Sequence, residues 1–158
     1  MFTLVPVNFF RPEAARDALA EVASLREGEQ VLYQEIPAFS AVLVYSVSGD
    51  AATPPEIFYI LQELPSCGEY NKLLCSWKDG ELSLAIAQGR SLLIANCFPA
   101  PDFTTAQYYI FLAMKSLQLN PEVTTIRFRH PLSTENEMAL YRYFKAVECR
   151  GKAFEQER

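Results

Sequence analysis

Apolar and polar positions follow a strand-like rhythm through much of the second half of the chain. Asn71–Trp77, Glu81–Ala87 and Ser91–Phe98 are three such runs. Lys78-Asp79-Gly80 joins the first two, and Asp-Gly favours a tight hairpin because both central residues of such a turn take positive φ. Gln88-Gly89 supplies a second turn, so the three runs predict a β-meander. The period then changes. Phe103, Ala106, Ile110, Ala113 and Leu117 recur at helical spacing, with Tyr109, Phe111, Leu112 and Met114 widening the apolar face. This predicts a largely buried helix from the capping candidates Asp102 and Thr104 to about Leu119. Asn120-Pro121 stops it, and Thr124–Arg129 reads as a strand. Ser133, with Glu135 and Glu137 in the first turn, opens a last helix with Met138, Tyr141 and Phe144 or Val147 inward. A short final strand is expected near Val147.

The first half is less regular. Phe2–Pro6 is a short strand, and Pro12-Glu13 opens a helix with Ala15, Leu19, Val22 and Leu25 on one face, ended by Gly28. Gln30–Ile36 and Ser40–Ser48 read as strands about a turn at Pro37. Gly49–Pro55 is a loop, and Glu56–Leu64 a short helix.

From residue 71 onward the order is β-β-β-α-β-α-(β). A meander followed by alternating helix and strand is the order of the ribonuclease-H-like and actin-like folds, in which an antiparallel hairpin edge continues into a parallel sheet. The expected class is a mixed α/β sheet of this type. It has one complete subdomain over 66–158 and part of a first subdomain over 1–65.

Composition narrows the chemistry. The 158 residues are half hydrophobic, which makes a packed domain. Fourteen Lys+Arg against 19 Asp+Glu give a net charge of −5, which argues against nucleic-acid or anionic-membrane binding. The stretch 127–158 is locally basic, with 7 Lys+Arg against 5 Glu, so an RNA shift assay is a fair check on that conclusion. No apolar run approaches a membrane span, and no basic leader with a cleavage site opens the chain. Cys67, Cys75, Cys97 and Cys149 form no CxxC pair and have no His at ligand spacing, so reduced structural thiols in a cytoplasmic protein are expected. A Cys67–Cys75 disulfide has no support.

A nuclease of the ribonuclease-H type needs carboxylates on its first strand to hold two metal ions about 4 Å apart, and Asn71–Trp77 carries none. The four Asp lie elsewhere: Asp17 in a helix, Asp50 in a loop, Asp79 in a turn and Asp102 at a helix start. An ATPase needs glycine-rich loops where backbone amides reach phosphate. Asp79-Gly80 is the one hairpin candidate, but Asp79 is accounted for as a turn residue. The chain reads His130-Pro131-Leu132-Ser133 after the Thr124–Arg129 strand, where a glycine pair would be expected. His130, the sole histidine, has no accompanying nucleophile motif and is read first as the end of a strand. Asp79, Gly80 and His130 are the weak candidates for a degenerate nucleotide site with ATP and Mg. Arg127 and Arg129 alternate with Ile126 and Phe128 and so share one side of their strand. They either pair with Glu135 and Glu137 or form an anion- or partner-binding face. Tyr108, Tyr141 and Tyr143 are assigned to the core ahead of a partner surface.

Several segments together resemble the DUF3822 family of Bacteroidetes proteins. They are Phe2-Thr-Leu-Val-Pro, Phe10 with the helix after it, Glu29-Gln-Val-Leu-Tyr with Ile36-Pro37, and Leu73-Leu74 through Lys78-Asp79-Gly80-Glu81-Leu82. Asn96-Cys97-Phe98, the Tyr-rich helix and Leu117-Gln-Leu-Asn-Pro-Glu complete the series. The resemblance implies an actin-like ATPase fold and carries no activity. It also implies a β-meander ahead of Phe2–Pro6, absent here, and a longer segment between Tyr45 and Asn71. Without that meander, the strands of the first half would expose edges and apolar surface. A homo-oligomer or a partner protein is expected to cover that sheet. The function expected is a non-catalytic module acting through protein contacts, with a nucleotide-binding protein or weak ATPase as the alternative.

Overall fold

The structure, a computed structural model, describes residues 1–26, 28–47 and 53–150. The expectations for Ser48, Asp50, most of the loop after it and the basic tail past Arg150 lie outside the described residues.

Two sheets make up the fold. The larger has five strands in the order β6-β5-β4-β7-β8. β4 (Asn71–Lys78), β5 (Glu81–Gln88) and β6 (Ser91–Pro99) form the expected antiparallel meander, while β7 (Thr125–Phe128) and β8 (Ala146–Cys149) continue it in parallel from β4. The turn residues dictate the register. Asp79 and Gly80 both take positive φ (52° and 74°), so Lys78 faces Glu81 and Ser76 faces Ser83. The β5–β6 register shifts by one residue between Ile86 and Ala87, so Ile86 faces Ile94 while Ala87 faces Leu92. Leu93 is the extra residue of this bulge.

β6 leads through α3 (Phe103–Ser116) to β7, and β7 leads through α4 (Thr134–Tyr141) to β8. Asp102 caps α3 by accepting from the Thr105 backbone N–H at 2.8 Å, and Ser133 caps α4 through the Asn136 N–H at 3.1 Å. Leu73, Cys75, Leu82, Leu84, Ile86, Ile126 and Phe128 turn one sheet face toward these helices and pack with Phe103, Ala106, Ile110, Met114, Leu140 and Phe144.

The smaller sheet is antiparallel throughout, in the order β1-β3-β2, with β1 at Phe2–Pro6, β2 at Gln30–Ile36 and β3 at Ala41–Val47. β3 therefore has neighbours on both sides, and the exposed edges expected of all three strands fall to β1 and β2 alone. Helix α1 (Ala15–Ala20) packs Ala15 and Leu19 against Val42 and Val44.

Helix α2 (Glu56–Glu63) lies between the sheets. Its Ile57, Ile60 and Leu61 are fully buried against Ile36, Leu43 and Tyr45 of the small sheet and Leu74, Ala85 and Ala87 of the large one. One apolar cluster thus spans residues from both halves of the chain.

Four expectations need correction. α1 ends at Ala20 instead of running to Gly28: a last turn, in which the Val22 and Ala23 N–H groups share the Leu19 carbonyl, follows it, and Val22 faces solvent. α4 buries Leu140 in place of Met138 and Tyr141, which point outward, while Phe144, just beyond the helix, and Val147 are buried as expected. Tyr108, Tyr141 and Tyr143 are half or more exposed and so do not belong to the core. α3 is buried on one side only, since Leu112 also faces solvent.

Candidate functional site

The large-sheet face under α2 changes character along its length. Leu74, Ala85 and Ala87 are apolar and lie beneath the helix. Toward the β4–β5 hairpin the same face presents Ser76, Ser83, Lys78 and Glu81, because alternation puts every second residue on one side. On β7 the same alternation sends Ile126 and Phe128 into the α3 side and leaves Arg127 and Arg129 on the α2 side. This is the carboxyl-terminal end of the parallel strands, where open α/β sheets commonly hold ligands.

Both arginines are paired, with glutamates other than the expected Glu135 and Glu137. Arg127 sits between Glu69 (2.5 Å) and Glu148. Arg129 sits between Glu56 and Glu63, and its guanidinium lies 5.1 Å from the centre of the Tyr59 ring. Arg150 pairs with Glu63 as well. His130 Nε2 is 3.2 Å from the Glu56 Oε1 atom that Arg129 also engages. Hydrogen bonding from Arg127 holds the Glu69 carboxyl below its ordinary 4.5. Arginine's planar fork, with five donors, suits it to bridging two carboxylates in this way.

Cavities lie at both ends of α2. One, of about 280 Å³, lies at the start of α2 beside the hairpin and is lined by Glu56, Ser76, Lys78, Asp79, Glu81 and Ser83. The other, of about 340 Å³, lies at the far end of α2 and includes Glu63, Cys67, Arg127, Glu148 and Arg150 in its wall. Because Arg129 pairs with Glu56 of the first and Glu63 of the second, its side chain links the two walls. The hairpin at the first cavity is braced from outside it. The Ala100 N–H donates to the Gly80 carbonyl at 2.8 Å, and Trp77 Nε1 donates to the Ala100 carbonyl at 2.8 Å.

Asp79 thus lines the first cavity, Gly80 closes the turn beside it, and His130 reaches it only through Glu56. Sequence reasoning missed Glu56, Glu63, Glu69 and Glu148, as well as Ser76 and Ser83. Glu56 and Glu63 stand seven residues apart, two turns on one helix face, and the Asp79-Gly80 turn already sets Ser76 opposite Ser83.

Burial pushes the Cys75 and Cys67 thiols up, and Cys97 up to about 11. Cys67 and Cys75 are not bridged to each other. Among the described residues no group of three or more His, Cys, Asp or Glu could hold a metal ion, and no helix is long and apolar enough to cross a membrane.

The two sheets with α2 between them and the β6-β5-β4-β7-β8 order form a mixed α/β architecture of the actin-like type. A solved structure from Bacteroides thetaiotaomicron VPI-5482, described as a protein with an actin-like ATPase fold and unknown function, matches it with a TM-score of 0.77. The two are 21% identical, and the match covers 96% of this chain and 65% of that one. The chain belongs to the family described as protein of unknown function (DUF3822), which matches residues 56–147. No curated protein matches it.

Proposed function

We propose that the chain is a non-catalytic module of the actin-like fold that acts through protein contacts in the cytoplasm. The observation that carries this reading is the pairing of Arg127, Arg129 and Arg150 with glutamates at the carboxyl end of the parallel strands. A phosphate site needs cations or backbone amides left available to the anion, and here each of these guanidiniums already has a carboxylate beside it. Contact surface is available elsewhere. Tyr108 and Leu112 of α3 face solvent near Tyr143, whose ring packs on Phe111 at 5.0 Å. Tyrosine-rich apolar surface of this kind is common in protein interfaces. A second copy or a partner protein would cover the edges of β1 and β2, with neither membrane nor nucleic acid involved.

The second reading, a nucleotide-binding protein or weak ATPase, is favoured by the cavity beside Asp79 and Gly80, with His130 behind Glu56. Titration with Mg-ATP under thermal denaturation separates the two. No saturable rise in Tm is expected, and a saturable rise would overturn the first reading. Light scattering at tens of micromolar checks the contact reading, for which assembly larger than a monomer is expected if the partner is a second copy.

A further inference from the structure

The cavity between the start of α2 and the β4–β5 hairpin is lined by three carboxylates, those of Glu56, Asp79 and Glu81, against one ammonium, that of Lys78. Its remaining wall is hydroxyl: Ser76 on β4 and Ser83 opposite it on β5. Ser76 is fully buried, and its Oγ has no hydrogen-bond partner. Ser83 does not serve it, since the Ser83 hydroxyl lies 3.2 Å from Cys97 Sγ. A buried hydroxyl left unpaired costs free energy that an alanine at the same strand position would not. A polar occupant of the cavity removes that cost.

The sign and size of the space limit the occupant. An anion would meet three carboxylates, and like charges held close in a partly enclosed space repel. A divalent cation has no suitable ligand set among the described residues. About 280 Å³ sits at the small end of ligand sites and suits a molecule of a few heavy atoms. We propose that this cavity binds a small organic ammonium. The carboxylates of Asp79 and Glu81 neutralise its charge, Ser76 Oγ bonds a polar group on it, and Glu56, held by Arg129 and His130, closes the far wall. This ammonium site does not depend on the protein-contact reading.

The test is calorimetric titration of the intact chain with ethanolamine and 1,4-diaminobutane, with 1,4-butanediol as the uncharged match and inorganic phosphate as the anion. Saturable binding of at least one amine is expected, with no binding of the diol or of phosphate. Ser76→Ala and Asp79→Asn should each weaken the amine by about tenfold, the worth of one hydrogen bond or charge contact of this kind. Both variants should fold. Ser76→Ala removes only an unpartnered hydroxyl, and Asn tolerates the φ of 52° at position 79. Absence of saturable binding by both amines overturns the proposal. So does equal affinity in the variants, or binding of the diol or phosphate as tight as that of the amines.

Discussion

Arg127 and Glu148 are register partners on the adjacent parallel strands β7 and β8, and their side chains form an ion pair across the strand boundary. The same guanidinium reaches Glu69 in the segment before β4, so one side chain joins β8, β7 and the approach to β4. Arg129 does the equivalent for α2, holding both ends of the helix to the sheet. The two arginines thus fasten neighbouring elements over a face that apolar packing covers only in part.

These pairs should be graded by their exposure to water. The Arg129 side chain is 13% exposed, Arg127 29% and Arg150 63%. Removing one partner of a desolvated pair strands the other charge, whereas exposed pairs contribute little. Arg129→Met is expected to cost about 2 kcal/mol, Arg127→Met about 1 kcal/mol and Arg150→Met under about 0.5 kcal/mol. Urea unfolding of the three variants checks the order, and equal losses would contradict it.

Acid should weaken the fold partly through Glu69. Its carboxyl is held below 4.5 in the folded chain by Arg127, so its contribution is present above that value and is lost as the pH falls through the lowered one. Tm measured from pH 6 downward should therefore drop more slowly in Glu69→Gln than in the native chain below about pH 4.5. Parallel curves would remove Glu69 from the acid response.

The thiols of fully buried Cys75 and partly buried Cys97 should be unreactive while the chain is folded. Cys75 is fully buried and Cys97 is pushed up to about 11, so neither presents thiolate at pH 8. Iodoacetamide followed by peptide mass spectrometry should leave both unmodified in buffer and modify both in urea. Labelling of Cys75 in buffer would mean that the sheet opens locally.

Helix α2 should behave as part of both sheets. Ile60→Ala removes a fully buried side chain from the cluster shared by Leu43, Tyr45, Leu74 and Ala85, and is expected to cost about 3 kcal/mol. A single unfolding transition at lower urea should result. Two separated transitions would show that the sheets unfold independently.

Much of this arrangement is legible in the sequence where turn chemistry fixes it. Asp79-Gly80 and Gln88-Gly89 set the meander to within a residue, and Asp102 and Ser133 mark two helix starts. Phase was less readable. The eight residues of α4 hold too few apolar side chains to tell Leu140 from Met138 as the inward one, and only packing on β8 decides. Val22 continued the spacing of α1, yet the helix had already ended. The arginine partners were out of reach for another reason. Glu56 and Glu69 precede Arg129 and Arg127 by 73 and 58 positions, so nothing local couples them. The side that Arg127 and Arg129 share was visible from alternation; what meets them there was not.

The single extra residue in β6 bears on how the protein stays unaggregated. β6 is nine residues long and forms an outer strand of the large sheet, a length of unpaired backbone that invites another chain to add on. Leu93 interrupts its alternation, so that Leu92 and Ala95, three positions apart, both pack toward α2. The local twist that accompanies such an insertion makes the strand a poor template for a flat, regular neighbour. Shortening β6 by that one leucine would restore plain alternation, with Leu92 still opposite Ala87, and would straighten the strand. The resulting hazard would be fibre growth along that border.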